Sequence, residues 1–329
     1  TALLISFSSL AVGFLARPLG GIVFGHFGDR IGRKRTLVVA LMMMGVTTTL
    51  IGFLPTYASI GVAAPILLVL LRFVQGLAIG GQWGGAMLLV TESAPADQRG
   101  WYGAYAQAGA PLGVVLANLA FIGVSSSMSD EAFMDWGWRL PFIASIVLIG
   151  ISMYIQLKIE DTEAFRSLSD AQAATDKPAE TVKRSPVIEA IRKYPKRIML
   201  AAGAFLSVQV TFYILIAFVI SYGMQSPDLM LSKDLMLTAV LVAAAIMVPT
   251  QFYFSGLSDK IGRKNVYRWG AILTGAWGFA LFPLIDTGNP LFICLAITMG
   301  LLFLGMQYGP QAAYFTELFS TEVRYSGAS

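Results

Sequence analysis

The sequence predicts an all-α protein embedded in a membrane and built from two related sets of helices. Three observations carry this expectation. Of the 329 residues, 56% are apolar and 13% are charged, against about 25% charged in an ordinary soluble domain; the mean hydropathy is +0.68. Nine stretches are apolar over lengths that suit a bilayer-crossing helix, which needs ~20 residues. A compact basic loop is written twice, 230 positions apart, each copy between two such stretches.

The stretches cover residues 3–27, 36–54, 63–90, 102–124, 140–157, 198–222, 235–254, 267–285 and 291–315. They are apolar nearly all round, so length rather than periodicity favours helix over buried strand. The sequence lacks the ~10-residue alternating segments of a transmembrane barrel. The first stretch carries Arg17 and Pro18 and runs into the first loop, Gly25-His26-Phe27-Gly28-Asp29-Arg30-Ile31-Gly32-Arg33-Lys34-Arg35. The third carries Arg72, Gln75 and Gln82; the fourth Gln107, Pro111 and Asn118. Residues 160–197 are polar and divide five stretches from four, so a first half at 1–159, a linker at 160–197 and a second half at 198–329 are expected. Within the linker, 186–196 suits a short surface helix. In the second half, Gln209 and Tyr213 share one helix face, and Gln307, Gln311 and Tyr314 another. The second loop copy, Ser255-Gly256-Leu257-Ser258-Asp259-Lys260-Ile261-Gly262-Arg263-Lys264, follows the seventh stretch.

Charge placement gives orientation. Nineteen of the 23 Lys and Arg fall in alternate loops, while the opposite loops hold Arg139, Lys233 and the acidic residues Asp130, Glu131, Asp135, Asp228, Asp234 and Asp286. The positive-inside rule puts the basic loops in the cytoplasm. The net charge of +4 is therefore sorted by membrane side and does not indicate nucleic-acid binding. Cys294 is the single cysteine and His26 the single histidine, which argues against a disulfide framework and a histidine metal site. No activated nucleophile pair or phosphate loop is visible, so neither an enzyme nor a bound cofactor is expected. The chain opens inside an apolar stretch without Met, which reads as an internal piece of a longer protein.

A second echo supports duplication. Glu92-Ser93-Ala94-Pro95-Ala96-Asp97-Gln98-Arg99 aligns with Glu317-Leu318-Phe319-Ser320-Thr321-Glu322-Val323-Arg324 at an offset of 225, which matches Gln82 with Gln307. Glu92 and Arg99, and Glu317 and Arg324, are then expected to form ion pairs at the cytoplasmic helix ends. Asp29 can cap the helix that follows it and pair with Arg33 one turn on; Asp259 and Arg263 are expected to do the same. The ladders Gly76, Gly80, Gly84 and Gly109, Gly113 suit close helix packing.

These residues resemble the major facilitator superfamily. Gly25, Asp29, Gly32, Arg33 and Lys34 match its G-x-x-x-D-x-x-G-R-[RK] loop; Asp259, Gly262, Arg263 and Lys264 match the second copy, with Ser255 in place of its first glycine. The segments Arg17-Pro18-Leu19-Gly20-Gly21, Arg72-Phe73-Val74-Gln75-Gly76, Gly80-Gly81-Gln82-Trp83-Gly84-Gly85 and Trp136-Gly137-Trp138-Arg139-Leu140-Pro141-Phe142 narrow this to the metabolite:H+ symporter branch, which includes shikimate, 2-oxoglutarate, citrate and proline or betaine carriers. The resemblance implies helices two to ten of a twelve-helix fold in two pseudo-symmetric six-helix halves. It also implies a proton-coupled importer of a small polar metabolite, with protons as the coupling ion and no cofactor. It places Asp29, Arg33, Asp259 and Arg263 in a cytoplasmic latch.

Read with that resemblance, Arg72, Gln75, Gln82, Gln107, Asn118, Gln209, Tyr213, Gln307 and Gln311 are the candidate substrate-binding residues. Arg72 would meet a carboxylate; the bland alternative is a structural arginine on neighbouring carbonyls. Arg17, Glu92, Arg99, Glu317 and Arg324 join the latch residues as candidates for gating. Gln82 stands where the branch carries Glu, so a carrier-derived sensor or an uncoupled facilitator is the alternative reading. A monomer in a bacterial inner membrane, in contact with lipid, is expected.

Overall fold

The computed structural model describes residues 2–31, 33–158, 192 and 194–318, and within these the side chains of 2–10, 26, 28–31, 33–34 and 155–156 lie outside the described set. Among the described residues the chain is helical and has no strand. The helices are α1 (Ala2–Ile31), α2 (Arg33–Phe53), α3 (Tyr57–Ile60), α4 (Ala63–Ser93), α5 (Arg99–Ser126), α6 (Asp130–Asp135) and α7 (Leu140–Lys158), with a 3-10 turn at Gly137–Arg139. Then follow α8 (Pro195–Tyr213), a π-helical turn (Ile214–Phe218), α9 (Val219–Gln225), α10 (Lys233–Ile261), α11 (Arg263–Asp286) and α12 (Pro290–Glu317). Among the described residues eight helical segments are long and apolar enough to cross a membrane, and Ala11–Gly25 is a shorter apolar stretch. They coincide with the nine stretches read from the sequence.

Helix ends follow local chemistry. Ser232 accepts a hydrogen bond from the Leu235 N–H at the start of α10, and Asn289 from the Leu291 N–H ahead of Pro290 in α12, satisfying first-turn donors that the helix leaves open. Gly262 turns α10 into α11 at φ +93°, a conformation that only glycine adopts without strain. The sixth stretch is a single run in the sequence but is interrupted by the π turn. No Gly or Pro lies in Ile214–Phe218; its Leu215 is buried where a Cβ on Gly300 of α12 would lie 2.8 Å from Leu215 Cδ2. The fit to α12, not local propensity, accompanies the break.

By contacts the chain forms two units. One comprises residues 1–93, 123–195 and 319–329. Here α4 lies between α1 and α2, and α2 also meets α7. A Cβ on Gly76 would overlap the Gly13 carbonyl oxygen, one on Gly80 the Arg17 carbonyl oxygen, and one on Gly20 the Leu77 carbonyl oxygen. Backbones this close gain dispersion and Cα–H···O contacts, which substitute in a membrane for the hydrophobic effect. Where α2 meets α7, Thr49 and Ser145 are 3.4 Å apart and Arg139 donates to the Leu54 carbonyl at 3.1 Å.

The other unit comprises 94–122 and 196–318. Its core is formed by buried side chains of α8 to α12, among them Val208, Met236, Met247, Ile297 and Leu304, with Ala110, Val114 and Val115 of α5 packed against it. Packing thus groups most of α5 with the second set of helices, whereas chain order assigns it to 1–159. The linker 160–197, including the short helix expected at 186–196, lies largely outside the described residues. The Gly109, Gly113 ladder does not work as expected: no described atom lies within 4 Å of a Cβ built on either residue. α5 instead turns Gly100, Gly103, Ala104, Gln107, Ala108 and Pro111 inward.

Candidate functional site

In the first unit the candidate binding residues sit on α4. Arg72, Gln75 and Gln82 are each half-buried, and Arg72 engages other groups. Gln75 Nε2 donates to Thr48 Oγ1 of α2 at 2.8 Å, so one of its amide hydrogens is held within the unit. On α1, the Arg17 guanidinium lies 4.2 Å from the centre of the Phe14 ring, a cation–π contact that shelters the charge inside an apolar span. Glu92, half-buried near the end of α4, also has interactions within the molecule. The side chains of Asp29 and Arg33 lie outside the described residues, as does that of His26, so the first latch has no described geometry.

The second unit brings more together. Asp259, at the end of α10, accepts from the backbone N–H groups of Gly100 and Trp101 at 2.9 Å each, one per carboxylate oxygen. These are first-turn donors of α5, where the helix presents partial positive charge. Asp259 also pairs with Arg263, and Arg263 Nη2 lies 3.1 Å from Glu317 Oε1. The sequence reading is corrected on one point: Asp259 does pair with Arg263, but it caps α5, about 160 positions away, and not the helix that follows it. Gly100 permits this approach, because a Cβ there would lie 2.9 Å from Asp259 Oδ1 and 2.5 Å from Arg263 Nη1. Glu317 meets Arg263, and its expected partner Arg324 lies outside the described residues. Arg99 Nε is buried without a hydrogen-bond partner among the described residues. A cleft of about 670 Å³ opens beside this cluster, lined in part by Gln98, Trp101, Tyr253 and Lys260.

Deeper along α5, Gln107 is 1% exposed; its Nε2 donates to the Tyr308 carbonyl at 2.7 Å and lies 3.3 Å from Gln311 Oε1. Gln307 is turned away from them and donates to Thr274 Oγ1 of α11 at 2.9 Å. The two units therefore use the same device, a glutamine of one helix tied to a threonine of its neighbour, but at Gln75 and Gln307 and not at the aligned pair Gln82 and Gln307. Asn118 spends its amide on the Val114 carbonyl of its own helix at 2.8 Å. Gln209 and Tyr213 are half-buried on α8, and Tyr213 directly precedes the π turn. Of the nine candidates, Gln107 and Gln311 are in mutual contact.

Sequence reading missed Gln251, Ser255 and Ser258 of α10, all buried. With Asp259 they stand at i, i+4, i+7 and i+8 on one face of α10, the face that meets α5: Gln251 Nε2 lies 3.5 Å from the Ala104 carbonyl. A polar stripe in an otherwise apolar helix was the available signal. Among the described residues no group of three or more His, Cys, Asp or Glu side chains is placed to hold a metal ion.

This arrangement matches a known family, whose model, described as the Major Facilitator Superfamily, covers residues 2–329. The chain belongs to the major facilitator superfamily. It is 40% identical over 336 residues to the Escherichia coli inner membrane metabolite transport protein YhjE, covering 100% of this chain and 73% of that one. It is 38% identical over 327 residues to the Escherichia coli shikimate transporter, covering 99% of this chain and 73% of that one. The superfamily fold appears directly in the proton:xylose symporter XylE bound to 6-bromo-6-deoxy-D-glucose, with a TM-score of 0.76 over 97% of this chain and 74% of that one at 16% identity. The chain is an integral multi-pass membrane protein of a transporter family, not an enzyme, and the branch resemblance read from its motifs stands.

Proposed function

We propose that the complete protein is a secondary carrier that imports a small polar metabolite, an organic acid, together with protons, by alternating access in a bacterial inner membrane. The observation that carries this reading is Arg72 inside the outer part of the apolar span α4, with Gln75 and Gln82 along the same face. An arginine at a helix centre costs about 2.5–3.5 kcal/mol on insertion scales, and one within a span is ordinarily turned to a wet cavity or a partner. An anionic substrate would repay that desolvation with a charge-assisted bidentate contact. Names among the relatives agree: shikimate is an organic acid, and YhjE is named for the inner membrane. The basic loops would face the cytoplasm. Proton coupling draws support from the symporter named among the structures of this fold and from the branch.

Gating would rest on ionic contacts that can break and reform. Asp259, with the α5 N-terminus, Arg263 and Glu317, is the described instance; Asp29, Arg33, Arg324, Glu92, Arg99 and Arg17 are the proposed counterparts. Gln82 favours a second reading, an uncoupled facilitator or a carrier-derived sensor, because an amide exchanges no proton at physiological pH.

Uptake of a labelled organic acid such as shikimate into vesicles containing the full-length protein tests both readings. An inward proton gradient should raise uptake, and Arg72→Ala should weaken apparent affinity about 10- to 100-fold, the loss of one charge-assisted contact. Unchanged affinity removes Arg72 from the site. Uptake without proton flux selects the facilitator, and binding without uptake selects the sensor.

A further inference from the structure

The connection between α2 and α4 carries no charge. Residues 36–71, from the start of α2 through the connection and into α4, contain no Asp, Glu, Lys, Arg or His. The connection between α5 and α7, at the same end of the first unit, carries Asp130, Glu131, Asp135 and Arg139, the chemistry of a loop that reaches water. The two connections meet where Arg139 donates to the Leu54 carbonyl at 3.1 Å.

Within the uncharged stretch, α3 buries none of its residues in the protein. Tyr57 is 65% exposed, and Phe53 and Val62 on either side are 60% and 63% exposed. One helical turn gains little from its own hydrogen bonds in water, and leaving these apolar side chains in water would forfeit the gain from removing them. Their surface continues that of the neighbouring spans. Val46, Leu50 and Phe53 stand at i, i+4 and i+7 on α2, as do Ile66, Leu70 and Phe73 on α4, and all six are exposed. Such stripes on spanning helices meet lipid tails, which are as apolar as they are. Tyr57 and Ile60 lie between the two stripes in the chain and are exposed in the same way.

Depth agrees with this surface. The uncharged part of α2, residues 36–53, is about 26 Å long at 1.5 Å per residue, slightly less than the ~30 Å hydrocarbon core. With its basic start at one surface, α2 brings Tyr57 to the opposite boundary and not beyond it. Tyrosine suits that boundary, with its ring in the apolar zone and its hydroxyl toward the headgroups. Thr56 and Ser59, whose hydroxyls lie 3.3 Å apart, supply polar groups, and Gly61 at φ +58° turns the chain back into α4.

We propose that residues 57–62 form an interfacial segment: α3 lies in the headgroup–acyl boundary of the leaflet opposite the basic loops, with Tyr57 and Ile60 seated in phospholipid. It sets the depth at which α2 and α4 ride in the bilayer. The occupant is lipid and not a second copy of the chain or another protein. The segment has no charge with which to select a protein partner, and its apolar surface passes without a break into surface that spans the bilayer.

Spin labels at Tyr57→Cys and Ile60→Cys, in the full-length protein in liposomes with other cysteines replaced, test this. Collision with lipid-soluble oxygen should exceed collision with a water-soluble nickel chelate, in a ratio about tenfold above that at Glu131→Cys. All three side chains are exposed, so packing is not disturbed. A lipid-soluble diazirine on the unaltered full-length protein, read by peptide mass spectrometry, gives a second measure and should label residues 54–62. A collision ratio at 57 and 60 equal to that at 131, or no diazirine label in 54–62, places the segment in water and overturns the proposal. Low collision with both reagents places protein on the segment and overturns it as well.

Discussion

Replacing Asp259 by Asn keeps the shape of the side chain and removes its charge. In the structure the carboxylate holds two α5 N–H groups at 2.9 Å and is only 10% exposed. An amide oxygen satisfies one of them; the amide NH2 then confronts the other, and the half-buried Arg263 loses its closest counter-charge. Hydrogen bonds to charged groups contribute about 1.5–3 kcal/mol each, and a charge at a helix N-terminus a further ~0.3–1 kcal/mol. Losing one bond outright and weakening the rest gives about 2–4 kcal/mol, or roughly 30- to 1,000-fold in the equilibrium between docked and released α5. Hydrogen–deuterium exchange reads this directly, since Gly100 and Trp101 amides exchange only when released from Asp259. Exchange across 98–105 should accelerate by that factor in Asp259→Asn, while peptides from 236–248 of α10 stay unchanged. Equal exchange in the two proteins would show that the carboxylate does not hold α5, and the latch argument would fall. Acceleration across the whole unit would show that the residue supports folding instead.

Other outcomes follow from the packing. Gly76→Ala drives a methyl into the Gly13 carbonyl and should lower stability by about 1–3 kcal/mol through overpacking, whereas Gly109→Ala, with open space around it, should be neutral or slightly stabilising; thermal unfolding in detergent separates the two. A double-mutant cycle of Gln75→Leu and Thr48→Val should return a coupling of ~0.6 kcal/mol, and no more than ~1.7; zero coupling would mean that the 2.8 Å hydrogen bond does not form in the membrane.

The nine spans were legible because a bilayer admits few solutions: a long apolar run must satisfy its own backbone, and a helix does so without help from other segments. The repeat was legible for the same reason, since its loops must carry basic residues, a tight glycine and an acid at fixed spacing. Gly76 and Gly80 were readable as a packing ladder. Gly109 and Gly113, with the same spacing, were misread, because spacing alone does not say which face of a helix meets a neighbour. The π turn at Ile214–Phe218 left no local mark. Gln251 and Ser255 were visible as polar residues but not as a buried stripe, because their burial depends on α5 and α12 lying alongside.

From its own letters, then, the chain determines what each segment can be: spans by length and apolarity, turns by glycine and charge, and membership of a superfamily by a loop written twice. Only the tertiary structure decided which helix Asp259 caps, that Gln107 and Gln311 meet, and that most of α5 packs with the second set of helices. Each of these is a contact between side chains or backbone groups roughly 150 to 200 positions apart. Local propensity carries no information over such distances, because the partner is chosen by which surfaces fit once the helices have formed.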